Sequence, residues 1–135
     1  NRIMSGVAII KKLLNAATTT QVIAGVIPIG TTLPAIGITQ ISGKMRDTLA
    51  GSETIRLETE RIQVTVVSKS YAEQKALLRT VRDACKAIEK LFVLSSESVM
   101  CKAVIEEFIG PDFYDSEVIL YMQSVDFMVK YQRSI

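Results

Sequence analysis

The chain has 135 residues, 48% hydrophobic and 22% charged, a balance that fits one packed domain and excludes a disordered chain. Its net charge of +2 is too small to imply a polyanionic partner by itself, so local charge distribution has to carry any nucleic-acid contact. Histidine is absent, which removes Ser–His–Asp and Cys–His nucleophilic sites and the usual zinc ligand sets together.

Ser5 can cap a first helix running to about residue 17, because Val7, Ile10, Leu14 and Ala17 recur at helical spacing. Lys11 and Lys12 interrupt this apolar stretch, unlike the core of a signal peptide. No apolar run reaches the roughly 18–20 residues of a membrane span. Thr18, Thr19 and Thr20 weaken the helix by β-branching, and Pro28 and Pro34 favour extended chain around them. Strands follow at about 35–41 and 55–67. Ser70-Tyr71-Ala72-Glu73 matches a capping box and opens a second helix to about residue 90. On it Leu77, Leu78, Val81, Ala84, Cys85 and Ile88 gather on one side. A third strand is expected at about 98–109, a turn at Gly110-Pro111-Asp112, and a fourth strand at about 117–131. The order helix, two strands, helix, two strands predicts a single α+β domain over 1–135. Its antiparallel or mixed sheet would have about four main strands, with both helices on one face and a protruding hairpin arm at about 41–58.

The central hairpin changes phase. Near its base Ile36, Ile38, Ile62, Val64 and Val66 are apolar at even positions, whereas towards its tip Ile41, Met45, Ile55 and Leu57 are apolar at odd ones. Side chains alternate across a strand, so the distal half turns its apolar side away from the core face. Two readings stay open: a β-bulge near residues 59–61 returns the tip to the same core, or the tip buries its second face against another subunit. Between the two halves, Lys44, Arg46, Asp47 and Glu53 sit in a polar, glycine-flanked loop of the kind that binds partners.

Catalysis finds no residue set. Adjacent Glu106 and Glu107 point to opposite faces of a strand, and Gly25 and Gly30 lack the lysine and hydroxyl of a phosphate loop. Glu58 and Glu60 share a parity, as do Asp115 and Glu117, and either pair could face a cation. Neither cofactor nor metal is expected. Cys85 and Cys101 each lie among apolar neighbours, as buried free thiols do. Lys75, Arg79, Arg82, Lys86 and Lys90 fall within roughly 80° of arc on the second helix. They read as a solvated outer face or as a contact face for phosphate, which would make the chain a small nucleic-acid-binding module.

Three stretches together resemble the tail-component family of long-tailed bacteriophages, which includes tail terminators and tail-completion proteins. They are Leu33-Pro34-Ala35-Ile36-Gly37-Ile38; the strand-to-helix passage from Ile62-Gln63-Val64-Thr65 to Ser70-Tyr71-Ala72-Glu73; and Gly110-Pro111-Asp112-Phe113-Tyr114-Asp115 with Ser124-Val125-Asp126-Phe127. The resemblance implies a non-enzymatic virion protein, assembled in the host cytoplasm into a hexameric ring at the head-proximal end of the tail. Its partners would be the tail tube protein and the head connector, with no membrane and with DNA only in passage. A ring of one subunit type needs two unlike complementary surfaces. Ile41, Met45, Ile55 and Leu57 are the expected subunit interface, and Lys44, Arg46, Asp47 and Glu53 the expected partner-binding loop. The polar arm around Arg46 departs from the family pattern.

Overall fold

The computed structural model describes residues 5–45, 55–86, 88–94 and 98–134. Helix α1 (Ser5–Ala17) buries Val7, Ile9, Ile10 and Leu14. A short strand β1 (Gln21–Ala24) then runs parallel to β2 (Ala35–Met45), and β2 turns back into β3 (Ile55–Ser68). Ser70 caps α2 (Tyr71–Ala84) by accepting a hydrogen bond from the Glu73 N–H at 3.4 Å. That helix buries Leu77, Leu78 and Val81, four residues apart or fewer, against the sheet. Strands β4 (Ile88–Val93), β5 (Ser98–Ile109), β6 (Phe113–Asp115) and β7 (Leu120–Ser134) follow among the described residues.

The strands form one sheet in the order β1-β2-β3-β7-β5-β4, with β6 on the free stretch of β7. Its centre is the ladder of β3 on β7, continuous from Ile55 opposite Ser134 to Ser68 opposite Tyr121. Alternate residues of both strands, Ile62, Val64 and Val66 with Val125, Phe127, Val129 and Tyr131, face the two helices and make the core with them. Among the described residues, no helix is long and apolar enough to cross a membrane.

The expected fold class needs correction. The described residues are mostly β, a strongly curled half-barrel of seven strands and not an α+β domain of about four. The four expected strands correspond to β2, β3, β5 and β7, and the three unforeseen ones have separate causes. Strand β1 has only four residues and β6 only three, too few to display an alternation. Strand β4 occupies sequence expected to prolong α2. The helix stops at Cys85 (φ −90°, ψ 60°), and the chain turns so that Phe92 is buried opposite Val99 on β5. Pairing and burial of Phe92 override the helical propensity of the Lys86–Lys90 stretch.

Helix α1 docks through its first turn. The Gly6 N–H donates to Glu60 Oε1 at 2.9 Å, placing a carboxylate at the positive end of the helix. A Cβ at position 6 would lie 2.2 Å from that oxygen. Alanine normally stabilises a helix interior over glycine by about 1 kcal/mol. Here Gly6→Ala should instead destabilise by about 1–3 kcal/mol, because it displaces a buried hydrogen-bonded carboxylate. A urea titration should show a lower midpoint at unchanged slope; an equal or higher midpoint would contradict the contact.

Candidate assembly surface

The alternation of β3 sorts its side chains onto two faces. Glu58 and Glu60 lie in line with Ile62, Val64 and Val66 on the helix side, both buried, Glu60 at 4% exposure. The Tyr131 hydroxyl donates to Glu60 Oε2 at 2.6 Å and lies 3.0 Å from Glu58 Oε1. Burial first, then the bond to Glu60, pushes the Tyr131 phenol far above its usual range. The same-parity pair expected from sequence is thus brought together, but facing inward, where Glu60 joins α1 to β7. Asp115 accepts from the Glu117 N–H at 3.0 Å within its own turn. Among the described residues, no group of three metal-ligating side chains forms.

The opposite face of the sheet carries no helix. On its β2–β3–β7 half, polar side chains bind one another. Arg61 donates through Nε and Nη2 to Asp126 Oδ2 at 3.1 and 3.0 Å, and Gln63 Nε2 reaches Asp126 Oδ1 at 3.4 Å. Thr65 and Ser124 share a hydroxyl contact at 2.8 Å. On the β5–β6 half the character changes to apolar. Ile105, opposite Met128, is 43% exposed, Phe108, opposite Asp126, is 56% exposed, and Phe113 is exposed opposite Met122. Near the other edge the segment after β1 passes over Gly37, and a cavity of about 330 Å³ opens between Val26, Ile27 and the outward residues Thr39, Gln63, Thr65, Val67 and Met122.

The hairpin does contain a bulge, but on β2. Gln40 pairs with Ile62 and Ser42 with Arg61, which leaves Ile41 as the extra residue, 50% exposed. The register beyond it sets position 45 opposite Glu58, so positions 45 and 57 fall on opposite sides of the ribbon. Leu57 is half-buried on the helix-free side. Lys44 and Ile55 are placed by backbone pairing alone, opposite Thr59 and Ser134, while Arg46, Asp47 and Glu53 lie outside the described residues.

The basic residues are not one helical stripe, since Lys86 follows α2 and Lys90 belongs to β4, its ammonium 5.3 Å from the Phe92 ring centroid. Lys75 bonds Asp112 at 2.5 Å and Gln123 at 2.8 Å; the hydrogen bond raises the lysine pKa and holds the Asp112 carboxyl below its usual range. Arg82 makes two bonds to Glu106, at 2.7 and 3.0 Å, and its pKa is raised by that pairing. Lys86 lies 3.6 Å from Asp83. Arg79 is exposed and has no ion pair among the described residues. Both cysteines are free and buried, and burial pushes the Cys85 thiol up to about 12.

Sequence reading missed Ile105, Phe108 and Phe113. A usable signal was present: Phe108 and Ile109 are consecutive, so one of them must point away from a helix layer that covers a single face.

No family model and no curated protein matches this sequence. Among solved structures, the fold is similar to that of a chain in the virion of a native gene transfer agent (GTA) particle. The TM-score is 0.58, the identity 15%, and the match covers 91% of each chain.

The Tyr131 geometry has a measurable consequence. An unfolded chain releases the phenol proton near pH 10, whereas the folded state retains it to higher pH. The associated stability is therefore fully present below about pH 10 and is lost as pH rises towards the folded-state value, at up to about 1.4 kcal/mol per pH unit. Urea titrations from pH 9 to 11.5 should show this decline in the wild type and a shallower one in Tyr131→Phe. Equal slopes would mean that Tyr131 titrates normally.

Proposed function

We propose that this chain is a structural virion protein of the tail-terminator or tail-completion kind. In this reading the subunit closes into a ring, a hexamer, at the head-proximal end of a phage tail, where it meets the tail tube protein and the head connector. The observation that carries the reading is the fold shared with a chain of a GTA virion over 91% of both chains. The helix-free face adds support, because Leu57, Ile105 and Phe108 all lie on the side that the protomer's own helices leave open. Burial of such side chains between copies yields about 25 cal/mol per Å² of apolar area removed from water.

The work of the protein is binding. Glu60, which shares a parity with Glu58 as a catalytic acid pair would, is engaged by Gly6 and Tyr131 and fastens a helix to the sheet. A nucleic-acid module is the weaker reading, because Lys75, Arg82 and Lys86 have acidic partners that offset their charge. Ring closure needs only neighbours of the same kind, and the polar rim of the hairpin would set partner choice more than affinity.

The test is the mass of the native species over a concentration series, by analytical ultracentrifugation. The wild type should form one closed oligomer. Ile41→Asp with Leu57→Asp should weaken assembly at least about tenfold, as expected for more than 1.4 kcal/mol of lost interface energy, and leave a folded monomer. Arg79→Glu, Arg82→Glu and Lys86→Glu together should leave the oligomer intact. Assembly that survives the hairpin pair, or salt-sensitive DNA binding abolished by the charge reversals, would overturn the reading.

A further inference from the structure

We infer that residues 111–119 form a strap that opens and closes as a unit while the β3–β7 ladder stays folded, with Asp112 as its latch on α2. The opening is a property of the single protomer and does not depend on whether copies assemble.

The strap joins the end of β5 to the start of β7 and adds nothing to the core. None of its residues is buried, and Phe113, Tyr114, Val118 and Ile119 are all exposed. Strand β6 lies off the main path of the sheet and meets β7 through three pairs, Phe113 with Met122, Tyr114 with Tyr121 and Asp115 with Leu120. Buried apolar contact is what raises the free energy of local opening towards that of global unfolding, and the strap lacks it. The neighbouring ladder has it throughout, with Val64, Val66, Val125 and Phe127 all fully buried.

The two ends of the strap differ. Ahead of it Gly110 is pinned to β7: its N–H donates to the Ser124 carbonyl at 2.8 Å, and its carbonyl accepts from Gln123 Nε2 at 2.7 Å. The far end is strained. Ile119 has a φ of 49°, in the left-handed region that a β-branched residue enters only at a cost. Its side chain is exposed, so burial within the protomer does not offset that cost, and opening relieves it.

Asp112 holds the strap to the helix layer. The Tyr71 hydroxyl donates to Asp112 Oδ2 at 3.0 Å and Lys75 Nζ to Oδ1 at 2.5 Å. Both donors belong to the start of α2, whose Leu77, Leu78 and Val81 anchor it on the sheet. Lys75 also bonds Gln123 of β7 at 2.8 Å, which keeps its ammonium in place when Asp112 leaves. The ion pair is open to solvent on both sides, so salt screens it and it closes the strap without locking it. Withdrawal of β6 bares the backbone of residues 120–122 on that side, a strand edge that the closed protomer conceals.

Hydrogen–deuterium exchange of the full chain, read by mass spectrometry and corrected for intrinsic rates, tests the strap and its latch. In the wild type, residues 113–119 should exchange at least about a hundredfold faster than residues 125–131. Asp112→Ala should quicken strap exchange about two- to fivefold, as loss of an exposed ion pair does. Sodium chloride at about 1 M should act on the wild type in the same direction. Ile119→Asn, a residue that the left-handed region admits, should slow strap exchange at least about twofold. Exchange in the ladder should stay unchanged in every case. The salt series uses the unaltered protein, so it decides the matter even where a variant does not fold. Strap amides that exchange as slowly as the ladder would mean that the segment opens only with the whole protein. Strap exchange indifferent to both salt and Asp112→Ala, or quickened by Ile119→Asn, would equally overturn the inference. Either failure leaves the mass of the native species, and with it the assembly reading, untouched.

Discussion

The ladder between β3 and β7 governs the rest of the molecule, because every other element is attached to one of these two strands or to their neighbours. A strand cannot turn all its side chains one way. Once Ile62, Val64, Val66, Val125, Phe127 and Val129 are committed to the helices, the residues between them must face outward along the whole length of the ladder. Near the middle that outward face is made tolerable in water by Arg61, Gln63, Asp126, Thr65 and Ser124, which satisfy one another. The β5 side has no such solution and leaves Ile105 and Phe108 exposed. The division of one face into a self-satisfied polar half and an uncovered apolar half follows from helices occupying a single side.

Charged groups serve mainly to orient elements. Arg82 and Glu106 tie the end of α2 to β5, and Lys75 with Tyr71 ties its start to Asp112 in the turn before β6. These pairs are largely exposed, and exposed ion pairs contribute little to stability at physiological salt. Their value lies in direction, since a helix held at both ends keeps one azimuth over the curled sheet. The buried acids act differently. Glu60 meets a helix terminus and a phenol in the interior, where loss of either bond would cost more than at the surface.

Much of this was legible in the residues. The start of α2 was readable because Ser70 and Glu73 carry a local capping signal, and the long strands because their alternation persists over many residues. The phase change in the hairpin was also visible, though its cause was not. The bulge falls at Ile41, between residues with no glycine or proline to mark it. The inward turn of Glu58 and Glu60 depends on Gly6 and Tyr131, more than fifty residues away on either side. Strand β4 escaped for a similar reason, since only its pairing with β5 selects strand over helix for Ile88–Val93. On the helix-free face, the outward side of Leu57 was suggested by parity, whereas the cavity depends on a loop crossing a strand face, a tertiary event with no periodic trace.

The distribution of aromatic residues gives the protein its own optical labels. Tryptophan is absent, and of the four tyrosines three are gathered at one end of the sheet, Tyr71 and Tyr114 each beside Tyr121 at ring separations of 5.6 and 4.5 Å. Tyr131 stands apart in the core. Ultraviolet absorption and emission from the native chain therefore come from two environments, a half-solvated cluster near β6 and a single dry phenol under α1. The first senses whatever touches that end of the molecule, and the second senses only whether the interior is intact.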